Sequence, residues 1–328
     1  MSGWKTAQAK KQASRKTRWA LIAIGIILGL LIIGNTVKFI KTIFSPWQSS
    51  TTHRNYLWQG DFNVNLAVKA KNISLLSYSP QNQQITVLEI PQNSYLEVAN
   101  GFGKWELRSV FDLGGDKLLK DTMVNLLGLP IDGYLRLTDK YSQLEIASLL
   151  EQLRKDPFVL ISLLSYLKTD LTPFELIRLK LGLAGVRFDK IKQIDLEKTD
   201  LFQKDQLADG TQILTPDSVR LDSIVSQMAE PSLQSEHKTI AIFNSTSHPG
   251  LAQKAARVVA NIGGDVIITS NGQNKFATTV VSGEKSKTLD RLKQIFGSSG
   301  TIDPNLEDLV SSRAQINIFL GEDYFKDK

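Results

Sequence analysis

One apolar run near the N terminus constrains this chain more than any other feature. Residues 19–37 read WALIAIGIILGLLIIGNTV and carry no charged side chain. A helix rises about 1.5 Å per residue and a bilayer core is about 30 Å thick, so this length is typical of a membrane-spanning helix. Residues 1–18 hold six basic residues and no acidic one, which predicts a cytoplasmic N terminus. The rest of the chain is then expected outside the plasma membrane.

A cleaved signal peptide is the alternative interpretation of this run. The apolar region of a signal peptide is shorter and ends in a small-x-small cleavage site, whereas this one ends IGNTVKFI, so an uncleaved anchor is favoured. Gly25 and Gly29 form a GxxxG spacing, which is compatible with self-association through the anchor.

Charge and composition exclude several classes of function. The net charge is +6, but residues 1–50 contribute eight basic residues and no acidic one, so the remainder is slightly acidic. The basic excess therefore belongs to the membrane signal and indicates no nucleic-acid surface. The chain has no cysteine, which excludes disulfides and thiolate chemistry, and its three histidines lack metal-ligand spacing. We expect no metal site and no bound cofactor.

Shifts in composition divide the chain into an anchor and two extracytoplasmic α/β (α+β) domains. The predicted units are a basic tail (1–18), a transmembrane anchor (19–37), a linker (38–61), a middle domain (62–230), a second linker (231–237) and a C-terminal domain (238–328).

The middle domain is predicted to begin with strands and to continue with helices. Alternating apolar residues from Phe62 to Val68 indicate a half-buried strand. Further predicted elements are a hairpin of Ile73–Tyr78 and Ile85–Ile90, a helix over 118–127 that ends at Gly128, a strand over 131–137, helices over 142–168, 173–184 and 217–229, and a polar turn-like segment over 205–216. Thr172 is the predicted N-cap of the helix over 173–184, with Pro173 in its first turn.

The C-terminal domain shows the clearest periodicity. Its predicted elements are strands over 239–243, 265–269, 276–281 and 314–320 and helices over 251–262 and 287–296. This order is βαββαβ and predicts a ferredoxin-like arrangement, in which four strands carry two helices on one face. Many unrelated functions occur on that fold, so it predicts none by itself.

Two segments resemble known cell-envelope proteins. The stretch TIAIFNSTSHPGLAQKAARVVANIGGDVIITSN, from residue 239, resembles the C-terminal domain of LytR-type proteins. NISLLSYSPQNQQITVLEIPQNSY, the Gly114-Gly115 pair and LLGLPIDGY at 126–134 resemble a LytR-CpsA-Psr (LCP) domain. The resemblance implies an extracytoplasmic fold that transfers polyprenyl-linked glycopolymers to peptidoglycan, with Mg²⁺ as cofactor.

The resemblance fails where the family's chemistry is expected. The family pattern implies an aspartate before the first hairpin strand and an Arg-Asp pair after the proline, and the matching positions here are Lys71, Gln92 and Asn93. A magnesium pyrophosphate needs carboxylates for the metal and guanidinium groups for the phosphate oxygens. The candidates that remain for such chemistry are Arg108, Arg136 and Asp112.

Other candidate residues have a structural alternative. Asn244, Ser245, His248 and Gly250 lie at a predicted helix start, where free N–H groups can bind an anion, and capping of the helix by residues 245–247 is the alternative. The segment Gly101–Lys104 resembles part of a phosphate loop but is more typical of a β-turn. A carboxylate cluster could form from Asp112, Asp116, Asp121 and Asp132, and solvated or capping roles are the alternative. A sugar-stacking surface could form from Tyr56, Trp58 and Phe62, and packing in the core or at the membrane interface is the alternative.

Three functions are compatible with these features. The first is a single-pass plasma-membrane protein with an LCP-like domain that lacks the catalytic charges and acts as a cell-wall-associated binding or scaffold module. The second is a divergent Mg²⁺-dependent phosphotransferase that attaches polyprenyl-linked glycopolymers to peptidoglycan. The third is a membrane-tethered envelope regulator, and none of the three requires a nucleic-acid partner.

Overall fold

A mixed six-stranded sheet organises the middle of the chain. The structure, a computed structural model, describes residues 54, 56–298 and 312–326. Its strands are β1 (Val64–Lys69), β2 (Ile73–Ser79), β3 (Gln84–Ile90), β6 (Gly133–Leu137), β7 (Leu167–Thr169) and β8 (Ile191–Asp195). The sheet order is β7-β6-β1-β2-β3-β8, in which β1, β3, β6 and β8 run parallel to one another.

Helices cover both faces of this sheet. On one face lies α1 (Leu107–Leu127), and on the other lie α2 (Ile146–Lys155), α3 (Val159–Leu163) and α4 (Pro173–Gly185). Two short hairpins, β4 (Tyr95–Val98) with β5 (Gly103–Glu106) and β9 (Phe202–Gln206) with β10 (Gln212–Pro216), and helix α5 (Ser218–Val225) complete this part of the chain. Strand β1 is buried along both faces, so the predicted half-buried strand is wrong in its exposure.

Several local predictions agree with the structure. The hairpin β2–β3 is confirmed, and Gly128 is the left-handed C-cap of α1 with φ 59°. Thr172 caps α4 through a capping box, in which its side chain accepts from the Glu175 N–H and Glu175 accepts from the Thr172 N–H.

Other local predictions were wrong. The helix predicted over 142–168 is broken into α2, α3 and β7, and the polar segment 205–216 forms most of the β9–β10 hairpin. The helical segment from Leu107 to the kink at Gly114 and Gly115 was not predicted. These two glycines are non-helical and divide α1, so Asp116 flanks the start of its second segment, as predicted, whereas Asp121 lies inside that segment.

The C-terminal part contains the predicted order of elements with a different sheet. Its elements are β11 (Thr239–Asn244), α7 (Leu251–Asn261), β12 (Asp265–Asn271), β13 (Val280–Gly283), α8 (Lys287–Phe296), β14 (Ile316–Leu320) and α9 (Glu322–Lys326). The sheet order is β12-β11-β14-β13, with β11 parallel to both β12 and β14.

The ferredoxin-like prediction is therefore wrong in its strand pairing. In that fold a third strand separates the two strands that a helix connects, whereas here α7 joins the adjacent parallel strands β11 and β12. The most apolar strands, β11 and β14, occupy the centre of the sheet, and the largely exposed β12 lies at its edge.

The two predicted domains share one hydrophobic core. Side chains from α1, such as Leu118 and Met123, belong to the same buried cluster as Ile242 of β11 and Val258 of α7. Residues 231–237, predicted as a linker, contain helix α6 (Pro231–Glu236), in which Leu233 is buried. The predicted domain boundary stays a prediction, but folding of the two parts is coupled through this core.

The predicted anchor at 19–37 lies outside the described residues. Within residues 54, 56–298 and 312–326, no helix combines the length and apolar character that crossing a bilayer requires.

Candidate functional site

The candidate catalytic residues meet at one edge of the six-stranded sheet. Because β1, β3 and β6 are parallel, their carboxyl ends lie at the same edge, the usual position of ligand sites in open α/β sheets. The N-terminal half of α1 runs beside this edge. We call the surface formed by Lys69, Lys71, Gln92, Arg108, Phe111, Asp112, Asp116 and Arg136 the strand-end site.

Two cations flank an aromatic ring at the centre of the strand-end site. Lys69 and Arg136 are register partners at the ends of β1 and β6. The Nζ of Lys69 lies 4.8 Å from the centre of the Phe111 ring, and the guanidinium carbon of Arg136 lies 4.9 Å from it. These distances are within the range of cation–π attraction, so the ring helps to hold both cations side by side.

Arg136 forms an ion pair with a carboxylate of the same chain. Its Nε lies 2.9 and 3.1 Å from the two carboxylate oxygens of Asp116, and both side chains are mostly buried. Burial raises the pKa of Asp116, and the nearby Arg136 opposes that shift. A phosphate ligand would have to compete with this ion pair for the guanidinium.

Lys71, Gln92 and Asn93, the positions at which the resemblance implies charged residues, lie in one hydrogen-bonded segment. The Nε2 of Gln92 donates to the Lys71 carbonyl at 3.0 Å and to the Asn72 Oδ1 at 2.8 Å. The Lys71 ammonium lies 2.7 Å from the Glu145 carboxylate, which raises the pKa of Lys71. The Asn93 carbonyl accepts from the Leu214 N–H at 3.1 Å, so this segment also docks the β9–β10 hairpin.

Arg108 and Asp112 lie on the outer side of the strand-end site. The backbone N–H of Arg108 donates to the Gln92 carbonyl at 3.0 Å, while its exposed side chain pairs with Glu106. Asp112 is exposed on the next turn of α1. The structure thus brings Arg108, Asp112 and Arg136 to one region, and both arginines form ion pairs with carboxylates of the chain.

The helix-start residues of the C-terminal part form a closed loop. Asn244 Nδ2 donates to the His248 carbonyl at 2.7 Å, and its Oδ1 accepts from the Thr246 hydroxyl at 2.7 Å. The N-cap of α7 is Gly250, at φ 82° and without a side chain, so the predicted capping by residues 245–247 is wrong. Ser245 is buried within the same loop.

A carboxylate of the chain already occupies the predicted anion position beside this loop. Glu322 accepts from the Ser247 N–H at 2.8 Å and from the Ser247 hydroxyl at 2.9 Å, and it lies 3.5 Å from His248 Nε2. The hydrogen bonds from Ser247 lower the pKa of Glu322.

A buried charge network joins the two parts of the chain, and sequence reasoning missed it. The guanidinium of Arg291, on α8, is fully buried and lies 2.6 Å from Glu230 and 3.2 Å from Asp132. Its NH1 also donates to the Tyr56 hydroxyl at 2.9 Å, and that hydroxyl donates to Asp132. Asp132 is therefore neither solvated nor a capping residue. The available signal was the position of Arg291 on the apolar stripe of α8, next to Leu292.

The network perturbs the titration of its members. Burial raises the pKa of Glu230 to about 7, with Arg291 opposing the shift. Burial also raises the pKa of Tyr56. Burial disfavours the charged form of Arg291, but Asp132 and Glu230 more than compensate and raise its pKa. Tyr56, Trp58 and Phe62 are accordingly packing residues, and no sugar-stacking surface forms from them.

A cleft separates the β4–β5 hairpin and the end of α1 from α7. Its volume is about 870 Å³, within the range of small-molecule sites. Exposed Lys104 and Lys254 lie on its opposite walls, together with Arg257, whose Nε lies 2.9 Å from Asp222. Gly101 and Phe102 belong to the tight connection between β4 and β5, and Gly103 and Lys104 begin β5, which agrees with the predicted turn between strands.

Within the described part of the chain, no group of three or more histidine, aspartate and glutamate side chains is placed to hold a metal ion. The polar groups of the strand-end site can donate hydrogen bonds to an anion, but the carboxylates beside them are engaged with arginine and lysine.

Comparison with known proteins agrees with the family resemblance. Residues 238–324 match the family model described as LytR cell envelope-related transcriptional attenuator. This confirms the prediction of a LytR-type C-terminal segment. No curated protein matches the chain.

Several solved structures are similar to about half of the chain. Bacillus subtilis TagV is 14% identical, with 51% of this chain and 95% of TagV covered at a TM-score of 0.41. The B. subtilis transcriptional regulator YvhJ is 16% identical, with 50% and 94% covered at 0.40. The LytR-CPS2A-psr family protein YwtF (TagT), with bound octaprenyl pyrophosphate lipid, is 14% identical, with 53% and 92% covered at 0.38. Similarity at this level transfers neither a mechanism nor a ligand to this chain.

Proposed function

We propose that this chain, whose residues 238–324 match a LytR-type cell-envelope family, is a single-pass membrane-anchored protein that binds a polymer of the cell wall without processing it. The anchor is residues 19–37, and the two α/β parts lie on the extracytoplasmic side.

The strand-end site is the observation that carries the proposal. Transfer of a phosphoryl-linked polymer needs cations that are free to bind developing charge on phosphate oxygens. Here Lys71 pairs with Glu145, Arg108 with Glu106, and Arg136 with Asp116. Gln92 is used in a turn between neutral groups. The charges at the site thus pair within the chain and largely neutralise one another.

The cleft is the binding surface that we propose. It is large enough for one or two sugar units, and its exposed lysines, Lys104 and Lys254, would attract the phosphate or carboxylate groups of an anionic wall polymer. Trp105, also exposed, follows Lys104 on the same hairpin.

Enzyme activity is tested with the full-length chain in detergent, Mg²⁺ and a polyprenyl pyrophosphate. The proposal predicts no phosphate release above a blank without protein. Release that is abolished by Arg136→Ala but retained by Arg220→Ala, an exposed arginine on α5, would refute it in favour of the divergent phosphotransferase.

Binding is tested by co-sedimentation of the full-length chain with peptidoglycan sacculi that retain their anionic polymers. We expect the double variant Lys104→Glu/Lys254→Glu to lose about ten-fold in affinity at low salt, because two attractive charges become repulsive. The control is Lys204→Glu, an exposed charge reversal on β9 outside the cleft. Wild-type protein that stays in the supernatant would rule out the binding module.

Point variants are preferable to deletion of the C-terminal domain. Because α1 and β11 share one core, removal of residues 238–328 would expose buried side chains such as Met123. Orientation is tested by a topology reporter at the C terminus of the full chain, where activity on the cytoplasmic side would contradict the anchor.

A further inference from the structure

Helix α4 is apolar on the side that faces away from the protein. Its inner residues Leu176, Leu179 and Leu183 are buried against the sheet. On the outer side, Phe174, Ile177 and Leu181 are 80%, 51% and 69% exposed. Apolar side chains thus occupy both the inner and the outer side of this helix, whereas the outer side of a surface helix is usually polar.

Neighbouring segments add to the same kind of surface. Phe188, three residues after α4, is 85% exposed. Helix α3 borders the same leucine-lined cavity as α4, and it contributes Ile161 and the preceding Phe158, which are 53% and 70% exposed. We call these six side chains on α3, α4 and the following turn the apolar face. Isolated exposed apolar residues are common, but three on successive turns of one helix indicate an interaction surface.

The N-terminal tether reaches the folded protein at α4. Arg54, among the first described residues, lies 2.6 Å from Glu175 of α4, and the Trp58 N–H donates to the same carboxylate at 2.6 Å. Arg178 NH1 donates to the Trp58 carbonyl at 2.7 Å. Sixteen residues separate this point from the proposed anchor at 19–37, a length that spans at most about 55 Å when extended. The tether thus enters the described structure on the helix that carries most of the apolar face, within about 55 Å of the proposed anchor.

The charge around the apolar face matches a lipid surface. Residues 173–192 contain five basic and two acidic residues, and the acidic Glu175 is buried and paired with Arg54. Exposed Arg178, Arg187, Lys190 and Lys192 therefore accompany the exposed apolar side chains. Basic residues beside an apolar helix face are typical of helices that lie in the plane of an anionic membrane.

We propose that the apolar face docks on the outer surface of the anionic bilayer that holds the anchor, with α4 lying in the interface. This inference rests on the proposed anchored location and adds a fixed orientation to it. The membrane covers the exposed phenylalanines and leucine, and docking limits which surfaces of the protein can face the wall.

The absence of native cysteine allows a site-specific test in the full-length chain. A single cysteine at Leu181 is labelled with an environment-sensitive fluorophore, and the protein is reconstituted into vesicles of three parts phosphatidylcholine to one part phosphatidylglycerol. Phe174→Cys serves as a second position on the face. Val219→Cys, on α5 and 78% exposed, is the matched control. Lipids with a nitroxide quencher on the acyl chain then report contact with the bilayer.

We expect the quencher to reduce fluorescence at 174 and 181 about two-fold, since an interfacial helix buries its apolar face about 5–10 Å deep, with little change at 219. Equal, weak quenching at all three positions would overturn the proposal. Fluorescence at 181 that rises with the protein-to-lipid ratio but is insensitive to the quencher would also overturn it, because a second copy would then cover the face.

Flotation of the vesicles after an alkaline wash separates failure of the anchor from failure of the docking surface. Protein that floats without quenching at 174 and 181 retains the anchor and refutes docking. Protein that is washed off, yet is quenched when vesicles are added at neutral pH, refutes the anchor and supports the apolar face.

Discussion

Replacement of Arg291 by methionine is expected to remove much of the folding stability. The guanidinium is fully buried between Glu230 and Asp132, at 2.6 and 3.2 Å, and both of these side chains are 1% exposed. Methionine fills part of the volume of the arginine stem but supplies neither charge nor donor. Two buried carboxylates and the Tyr56 hydroxyl then lose their common partner.

The size of the loss follows from these contacts. Removal of one partner from a buried ion pair costs about 3–5 kcal/mol, since the remaining charge is left uncompensated. Protonation of Glu230 limits the cost, because its pKa is already raised to about 7 by burial. Asp132 keeps the Asn65 N–H at 2.7 Å. We therefore expect about 3 kcal/mol, a large share of the 5–15 kcal/mol that is usual for a folded protein.

Urea unfolding of the full-length chain in detergent, followed by tryptophan fluorescence, measures this loss. Trp58 is a suitable probe because it packs next to the network and its Nε1 donates to the Phe62 carbonyl at 2.8 Å. The control is Arg220→Met, an exposed arginine that should change stability by less than about 0.5 kcal/mol. A loss below about 1 kcal/mol for Arg291→Met would refute the network as a source of stability.

Three further predictions concern the joint between the two parts of the chain. In the folded chain Glu230 retains its proton between pH 4.5 and about 7, whereas the unfolded chain has released it. The free energy of unfolding should therefore fall by up to about 3 kcal/mol as the pH rises through that window. Glu230→Gln should remove this pH dependence from urea midpoints measured from pH 4.5 to 7.5. Arg257→Met should lower the free energy of unfolding by about 1.5–3 kcal/mol in the same assay, because the Asn125 and Leu126 carbonyls at the C-terminal end of α1 lose charged donors at 2.7 and 2.9 Å. Gly128→Ala should cost about 1–3 kcal/mol, since φ is 59° and a Cβ would lie 2.7 Å from Asn261 Nδ2; an unchanged urea midpoint would contradict it.

Elements with a local cause could be predicted from the sequence. The N-cap at Thr172 and the glycine C-cap at Gly128 depend on residues a few positions apart, and both predictions are confirmed. The helix broken within 142–168 could not be predicted, because Leu167–Thr169 becomes a strand only by pairing with β6. Tertiary pairing here overrides a local helical pattern.

The candidate site was partly predictable. The prediction that positions 71, 92 and 93 lack the charges implied by the resemblance depends on residue types alone. The partners of those residues come from elsewhere in the chain: Glu145 is 74 positions from Lys71, and Asp116 is 20 positions from Arg136. No local pattern contains such a contact.

The sequence by itself determined the apolar run at 19–37, the slightly acidic balance of the residues after 50, the absence of cysteine and the order of the C-terminal elements, because these properties depend on composition and short-range periodicity. Only the tertiary structure decided the sheet order, the shared core, the buried position of Arg291 and the exposure of α4. Which face of a strand or helix meets solvent depends on what packs against it, and those neighbours are distant in the chain. The apolar residues of the helix predicted over 173–184 are therefore divided by the fold: Leu176, Leu179 and Leu183 are buried, whereas Phe174, Ile177 and Leu181 form a surface that the rest of the described chain leaves exposed.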